Sequence, residues 1–434
     1  MIINRIQVFQ IAWPIILSNI STPLLGLVDT AVIGNLGDAA LIGAIAVAGM
    51  IFSFLYWGFG FLRMGTTGLV AQAIGAGDEF EARASFYRAF LLGIFIGFVL
   101  VLFQWPLSSM ALNIIDGSEA VEAGALTYFQ IKIWAAPLSL SYLAILGYLL
   151  GCQDSRSILI LQILLNGTNI VLDIIFVVWL EWGVAGVAAA TVIAETTALI
   201  VGCLIIFYRF KKQGVSVRPD LGRLVAREPM VRMLAVNRDI MIRTLCLIFA
   251  FSWFTNQGAQ AGDVVLAANA ILMQFVSFAA FFLDGFALAA ESLVGAATGA
   301  RDETQLRQAV IFSTQLGLIT AILLSSSFLL LGEPVVHLLT NVEAVREAAD
   351  QYFVWVILAP VVSIWCYLLD GMFIGATKTP EMRNAMVISL IIYLLCWWLL
   401  RDWGNHGLWA ALTIYFLARA LSLGLYLPRV LRLA

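Results

Sequence analysis

Six acidic residues stand inside stretches of chain that are otherwise almost wholly apolar: Asp29, Asp173, Glu195, Asp284, Glu291 and Asp370. A charged side chain at the centre of a bilayer costs about 2.5–3.5 kcal/mol on insertion scales. Desolvation disfavours the anion, so such a carboxyl group can take up and release a proton near neutral pH. That is the chemistry of coupling to an ion gradient. No Lys or Arg lies well inside the same stretches to neutralise these acids, Lys132 being near an outer end.

Asp29 lies in PLLGLVDTAVIG, six residues after Pro23 and fifteen after Pro14. A proline removes one backbone hydrogen bond from a helix and permits a kink. A proton-binding carboxylate on a kinkable helix is a switch, or else a satisfied acid on a helix that its prolines merely shape. Asn169 and Asp173, in LLNGTNIVLDIIFV, are spaced i, i+4 and so share one helical face. An amide donor beside a carboxylate suits a proton relay or a small cation site, and it equally suits a polar contact between helices. Glu195 follows the small-residue run GVAGVAAATVI, Asp284 sits in FFLDGFAL, and Asp370 precedes a G-x-x-x-G stretch. These three are possible cavity acids or local polar contacts.

The elements that must hold these acids follow from composition. Of 434 residues, 62% are hydrophobic and 12% charged, against roughly 25% charged in a soluble domain. That excludes an ordinary soluble enzyme. A net charge of −3 argues against a nucleic-acid surface. The five cysteines are scattered through apolar stretches and form neither a disulfide framework nor a zinc pattern, and two histidines leave little room for a metal centre. Neither a Walker motif nor a catalytic constellation is present.

A membrane-spanning helix needs about 20 residues. Dividing the chain at its charged and Gly/Pro/Asn-rich joints gives twelve spans, at 7–36, 41–63, 85–106, 124–150, 157–180, 184–208, 234–257, 264–297, 308–331, 351–375, 384–400 and 406–427. We number them helix 1 to helix 12. With the N-terminus cytoplasmic, the inner loops and helix ends collect all but Lys132, Arg346 and Arg401 of the 24 basic residues, as the positive-inside rule asks. The expected fold class is an all-α polytopic membrane protein. It has an N-terminal six-helix lobe over 1–208, a cytoplasmic linker over 209–233 and a C-terminal six-helix lobe over 234–434.

The halves are related. At a shift of 224, Gly75-Ala76 falls on Gly299-Ala300, Asp78-Glu79 on Asp302-Glu303, Arg83 on Arg307, and Gly147 and Gly151 on Gly371 and Gly375. Trp182-Gly183 and Gly186 match Trp403-Gly404 and Gly407 at 221. An even number of spans per half makes this a parallel repeat, and two such bundles around a central cavity suggest alternating access. The joints at 75–83 and 299–307 are either matched contacts or plain tight turns. The repeat is broken at the acids, because Trp253 stands opposite Asp29 and the counterpart of Asp173 falls near Leu394.

Taken together, Trp13-Pro14, LVDTAVIG, N-x-x-x-D in helix 5 and GVAGVAAATVIAE in helix 6 resemble the multidrug and toxic compound extrusion (MATE) family. VNRDIM (236–241), FLDGFA and YLLDGMFIGATK point to its DinF branch. The resemblance covers nearly the whole chain. It implies an antiporter that exports amphiphilic or cationic organic compounds in exchange for protons, with sodium as the alternative ion. It implies further that Asp29, Asn169 and Asp173, with Tyr128 in helix 4 and Thr191 in helix 6, form the coupling network. Protonation of Asp29 would then bend helix 1 at Pro14 or Pro23. Helix 7, LCLIFAFSWFTNQ, lacks the acid of the NorM-type branch, which disfavours a cation site in the second half. A lipid-linked precursor flippase of the wider superfamily is the other alternative, and the lack of basic residues within the spans argues against it. The expected setting is the bacterial inner membrane with both termini inside. The protein is expected to be a monomer in the lipid bilayer, with no cofactor, metal or nucleic acid.

Overall fold

The computed structural model describes the backbone of residues 3–34, 39–114, 118–214, 216–217 and 219–432, and the side chains of these except 22, 24–34, 39–40 and 114. Among the described residues there is no strand. Ten helices are long and apolar enough to cross a membrane: Leu41–Gly75, Glu79–Leu102, Glu119–Gly151, Ser155–Trp179, Gly183–Lys212, Asp263–Gly299, Glu303–Leu339, Glu343–Gly375, Thr379–Trp403 and Asn405–Leu431. These are helices 2 to 6 and 8 to 12. Helix 1 is Arg5–Gly34 and helix 7 is Arg227–Gln260. The chain is therefore a multi-pass, all-α membrane protein.

Several helices run further than hydropathy suggested. Helix 2 was expected to stop at Arg63; instead the span turns at residues 59–60, after a first helix Ala39–Gly58, and a second helix runs Phe61–Gly75. Its polar continuation holds because the hydroxyls of Thr66 and Thr67 bond back to the carbonyls of Leu62 and Arg63, one turn earlier.

Contacts sort the chain into two compact units. One comprises Met1–Ile16, Ala71–Gly77 and Ala235–Ala434, and the other Leu17–Val70 and Asp78–Leu234. In the second unit, the segment after helix 6 is pinned to helix 3. Arg83 Nη1 donates to the Ser216 carbonyl at 2.6 Å, Arg88 Nη2 to the Arg223 carbonyl at 2.8 Å, and Arg223 pairs with Asp78 at 2.8 Å.

The repeat is written into the backbone. A β-carbon on Gly147 would stand 2.5 Å from the carbonyl oxygen of Arg63, and one on Gly371 would stand 2.2 Å from that of Ala287. Gly151 likewise meets Val70 and the Thr67 carbonyl, and Gly375 meets the Glu291 carbonyl. Each partner is displaced by the same 224 residues as its glycine, so the crossing of helices 2 and 4 recurs as that of helices 8 and 10. Small residues permit such close backbone approach. The left-handed residue within each joint also recurs, Gly77 at φ +73° and Arg301 at φ +53°.

The joints themselves form matched contacts. In the first unit, the end of helix 2 crosses the end of helix 8, with Gly75 against the Ala296 carbonyl and Gly299 against the Gln72 carbonyl. In each case a β-carbon would lie 1.9 Å from the oxygen. Gln72 Nε2 also donates to the Gly375 carbonyl at 2.9 Å.

Helices 3 and 9 begin with equivalent caps. Asp78 Oδ1 accepts from the Glu81 N–H at 3.0 Å, and Asp302 Oδ1 from the Gln305 N–H at 2.9 Å. Hydrogen bonds to its charged form, from the Gln305 backbone first and then its side chain, hold the Asp302 carboxyl below its ordinary pKa of 3.8. A depressed folded pKa gives stability that is present above the unfolded value and lost as pH falls through the folded one. Asp302→Ala should therefore lower the melting temperature at pH 7 and make a smaller difference below pH 3.8. Thermal melts at the two pH values check this.

Candidate functional site

Helix 5 carries a polar face. Asn166, Asn169 and Asp173 are buried, the last two with no exposed surface. The Asn169 amide is oriented by its neighbours. Its nitrogen donates to Asp173 Oδ2 at 3.2 Å, and its oxygen accepts from the Thr191 N–H of helix 6 at 3.2 Å. Thr191 Oγ1 donates to the Val187 carbonyl at 2.9 Å. Dry surroundings strengthen each of these bonds and penalise any that is left unmade.

Directly after Asp173 the helix widens into a π-helical turn, Ile174–Trp179. Such turns are rare and frequently mark functional positions. One turn before Asn169, Asn166 Nδ2 donates to the Ser21 carbonyl of helix 1 at 3.2 Å. Asn166 thus ties the acid-bearing face to helix 1 two residues short of Pro23. The sequence reading passed over Asn166, although Asn166, Asn169 and Asp173 at i, i+3 and i+7 form one stripe. Pro14 is buried and Pro23 exposed. Asp29 falls within helix 1, and its side chain lies outside the described residues.

Tyr128 is buried on helix 4, in a different group of side chains. Its ring lies 6.1 Å from that of Phe52, and Lys132 Nζ stands 5.6 Å from the Tyr128 centroid and 5.0 Å from the Phe52 centroid. The Lys132 ammonium pairs with Glu195 Oε1 at 3.8 Å, and Ser139 Oγ donates to the other Glu195 oxygen. In the second half, Asp370 Oδ2 accepts from both Arg243 and Arg419, the latter at 2.6 Å. The expectation that no cation stands within the spans to neutralise the acids is thereby corrected. Helix 7 is 34 residues long, so Arg243 lies four turns inside a helix whose start is polar.

Asp239, from VNRDIM, is also buried, and it accepts from Arg383 Nη1 at 2.8 Å and from Thr379 Oγ1 at 3.3 Å. Asp284 is half-buried on helix 8, and Glu291 is buried. Among the described residues, Glu333, His337 and Asp350 form a group whose ligand atoms lie within 4.8 Å of one another, largely exposed. His406 takes a hydrogen bond from Trp355 Nε1 at 3.2 Å.

Comparison with known proteins agrees with this architecture. The MatE family model matches residues 14–175 and again 240–399, one match to each half. The chain is 43% identical to the DNA damage-inducible protein F of Escherichia coli K12 over 96% of its length and 90% of that protein's. It is 25% identical to the probable multidrug resistance protein NorM of Thermotoga maritima, covering 78% of this chain and 72% of that one. Its fold matches a structure described as the outward-facing conformation of a multidrug resistance MATE family transporter of the MOP superfamily. That match has a TM-score of 0.87 at 19% identity, over 98% of this chain and 96% of the other. The all-α, multi-pass fold, the doubled family match and the 43% identity to a relative over nearly the whole chain place it in the multidrug and toxic compound extrusion (MATE) family of membrane transporters.

Proposed function

We propose that the protein is an antiporter that exports amphiphilic or cationic organic compounds by alternating access, driven by protons. The observation that carries this reading is the dry Asn169–Asp173–Thr191 cluster, tied through Asn166 to helix 1 beside Pro23. Protonation of Asp29, on the same helix 1, removes a negative charge from that helix. The charge change biases helix 1 between two shapes, and its prolines absorb the bend. Asp173, set by Asn169 and Thr191, shares the proton. The compounds exported by relatives described as multidrug resistance proteins motivate the substrate class. The protein works as a monomer in the bacterial inner membrane with both termini inside, and its coupling ion is its sole inorganic requirement.

The test is transport in proteoliposomes under imposed proton or sodium gradients. A proton gradient should drive efflux of a lipophilic cation such as tetraphenylphosphonium. Asp29→Asn and Asp173→Asn should each reduce driven efflux to the level of empty liposomes while the purified proteins remain folded. Full proton-driven efflux in both variants would sink the coupling assignment. Efflux driven by sodium alone would move the same site to the other ion.

A further inference from the structure

Leu221 and Val225, in the segment that follows helix 6, are 69% and 71% exposed. The Val225 N–H donates to the Leu221 carbonyl at 3.2 Å, so the two side chains stand one helical turn apart on a shared face. Their backbone is pinned. Arg88 of helix 3 is buried, and its guanidinium donates to the carbonyls of Arg223 and Leu224 at 2.8 and 3.2 Å. The Tyr87 hydroxyl donates to the Val217 carbonyl. The apolar face cannot turn inward without breaking these bonds.

Helix 3 fixes the depth at which this happens. Its exposed apolar side chains, Leu91, Phe95, Phe98 and Leu102, form one stripe that faces lipid. Tyr87 stands one turn before the first of them, about 6 Å along the axis. The head-group layer of a bilayer is roughly 5–8 Å deep on each side, and tyrosines concentrate there. Val217, Arg223 and Leu224 are therefore held at head-group depth rather than out in water.

The charge is one-sided. Residues 209–232 carry seven basic residues against two acids, Asp220 and Glu228. Among the neighbouring acids, Asp78, Glu81 and Asp154 are already paired with Arg223, Arg88 and Arg209. Asp220 caps the Gly222 N–H at 2.9 Å. With Glu79 at the start of helix 3 counted as well, the surplus stays positive. Lys211, Lys212 and Arg227 are exposed.

We propose that the segment after helix 6 is a binding surface for anionic phospholipid. Lys211, Lys212 and Arg227 engage the lipid phosphates, and Leu221 and Val225 bury at the boundary between head groups and acyl chains. A basic segment beside a transmembrane helix is drawn to an anionic leaflet, and apolar side chains on the same segment add to the hold. A soluble acidic partner would have to displace lipid head groups to reach the same face. The surface is separate from the Asn169–Asp173 cluster and does not rest on the transport reading.

The test is amide hydrogen exchange of the full-length protein in nanodiscs of phosphatidylcholine, alone or mixed with phosphatidylglycerol. Phosphatidylglycerol should slow exchange over 216–227. Protection over 89–102 of helix 3 should be the same in every sample, which reports that each variant is folded. Lys211→Gln, Lys212→Gln and Arg227→Gln should each raise the phosphatidylglycerol fraction needed for half the effect by about fivefold, the ordinary worth of one basic residue near an anionic surface. The three together should erase the effect. Leu221→Ser with Val225→Ser should instead speed exchange in both lipids. Equal exchange of the wild type in the two lipids, or an undiminished phosphatidylglycerol effect in the triple variant, would overturn the proposal. Equal protection by soluble glycerol phosphate in phosphatidylcholine discs would overturn the leaflet as partner in favour of a free anion.

Discussion

Asp370→Ala should destabilise the folded protein by about 3–5 kcal/mol, the usual result of removing one partner from a buried ion pair. The loss comes less from the missing attraction than from what stays behind. Arg243 and Arg419, 9% and 1% exposed, would keep their charges with no carboxylate between them. Replacing one of those arginines as well, as in Asp370→Ala with Arg419→Met, should recover a large share, because it removes a stranded charge and fills its space with an apolar chain. The two variants thus form part of a double-mutant cycle with strong coupling. Unfolding in detergent, followed by melting temperature or by denaturant titration, checks both. A single variant as stable as the wild type would mean that the triad contributes nothing to the folded state.

Gly299→Val and Gly75→Val should each abolish transport, and the pair together should cost no more than either alone. A β-carbon at either glycine would lie 1.9 Å from the carbonyl oxygen of the opposing helix. No real contact is that short, and the obstructing atom is backbone rather than a side chain that can turn aside. The ends of helices 2 and 8 would have to separate. Since both substitutions break the same crossing, their effects cannot add. Ala73, 7% exposed between the two contacts, should then become reactive when changed to cysteine and probed with an impermeant maleimide. Wild-type efflux by Gly299→Val would show that the closed crossing is not a step in the working cycle.

Much of the fold was legible because bilayer thickness imposes a length on every apolar run and because the duplication repeats glycines at one offset. The partners of Gly147 and Gly371 confirm that offset at the level of atoms. Helix ends were less legible. Helix 7 has 34 residues and helix 8 has 37, about 51 and 56 Å at 1.5 Å per residue, longer than a hydrocarbon core of roughly 30 Å. A charge on so long a helix belongs to its polar end or to the packed interior, and only packing decides which. That is why Arg243 and Arg419 read as helix-end residues and are in fact the partners of Asp370. Lys132 read as an outer-end charge, yet its flexible stem carries the ammonium back over Phe52 to Glu195. The i, i+4 spacing of Asn169 and Asp173 gave a true shared face. The π-helical turn beyond them left no mark in IIFVVW, since a shift in backbone hydrogen bonding needs no particular side chain.

The triad also bears on how the chain is made. Asp370 receives one cation from helix 7, made before it, and one from helix 12, made after it. Until helix 12 arrives, a half-neutralised acid must wait in or beside the insertion machinery. Membrane integration of the second half should therefore be cooperative rather than helix by helix. A nascent chain that stalls before Arg419 should be the form that cellular quality control recognises.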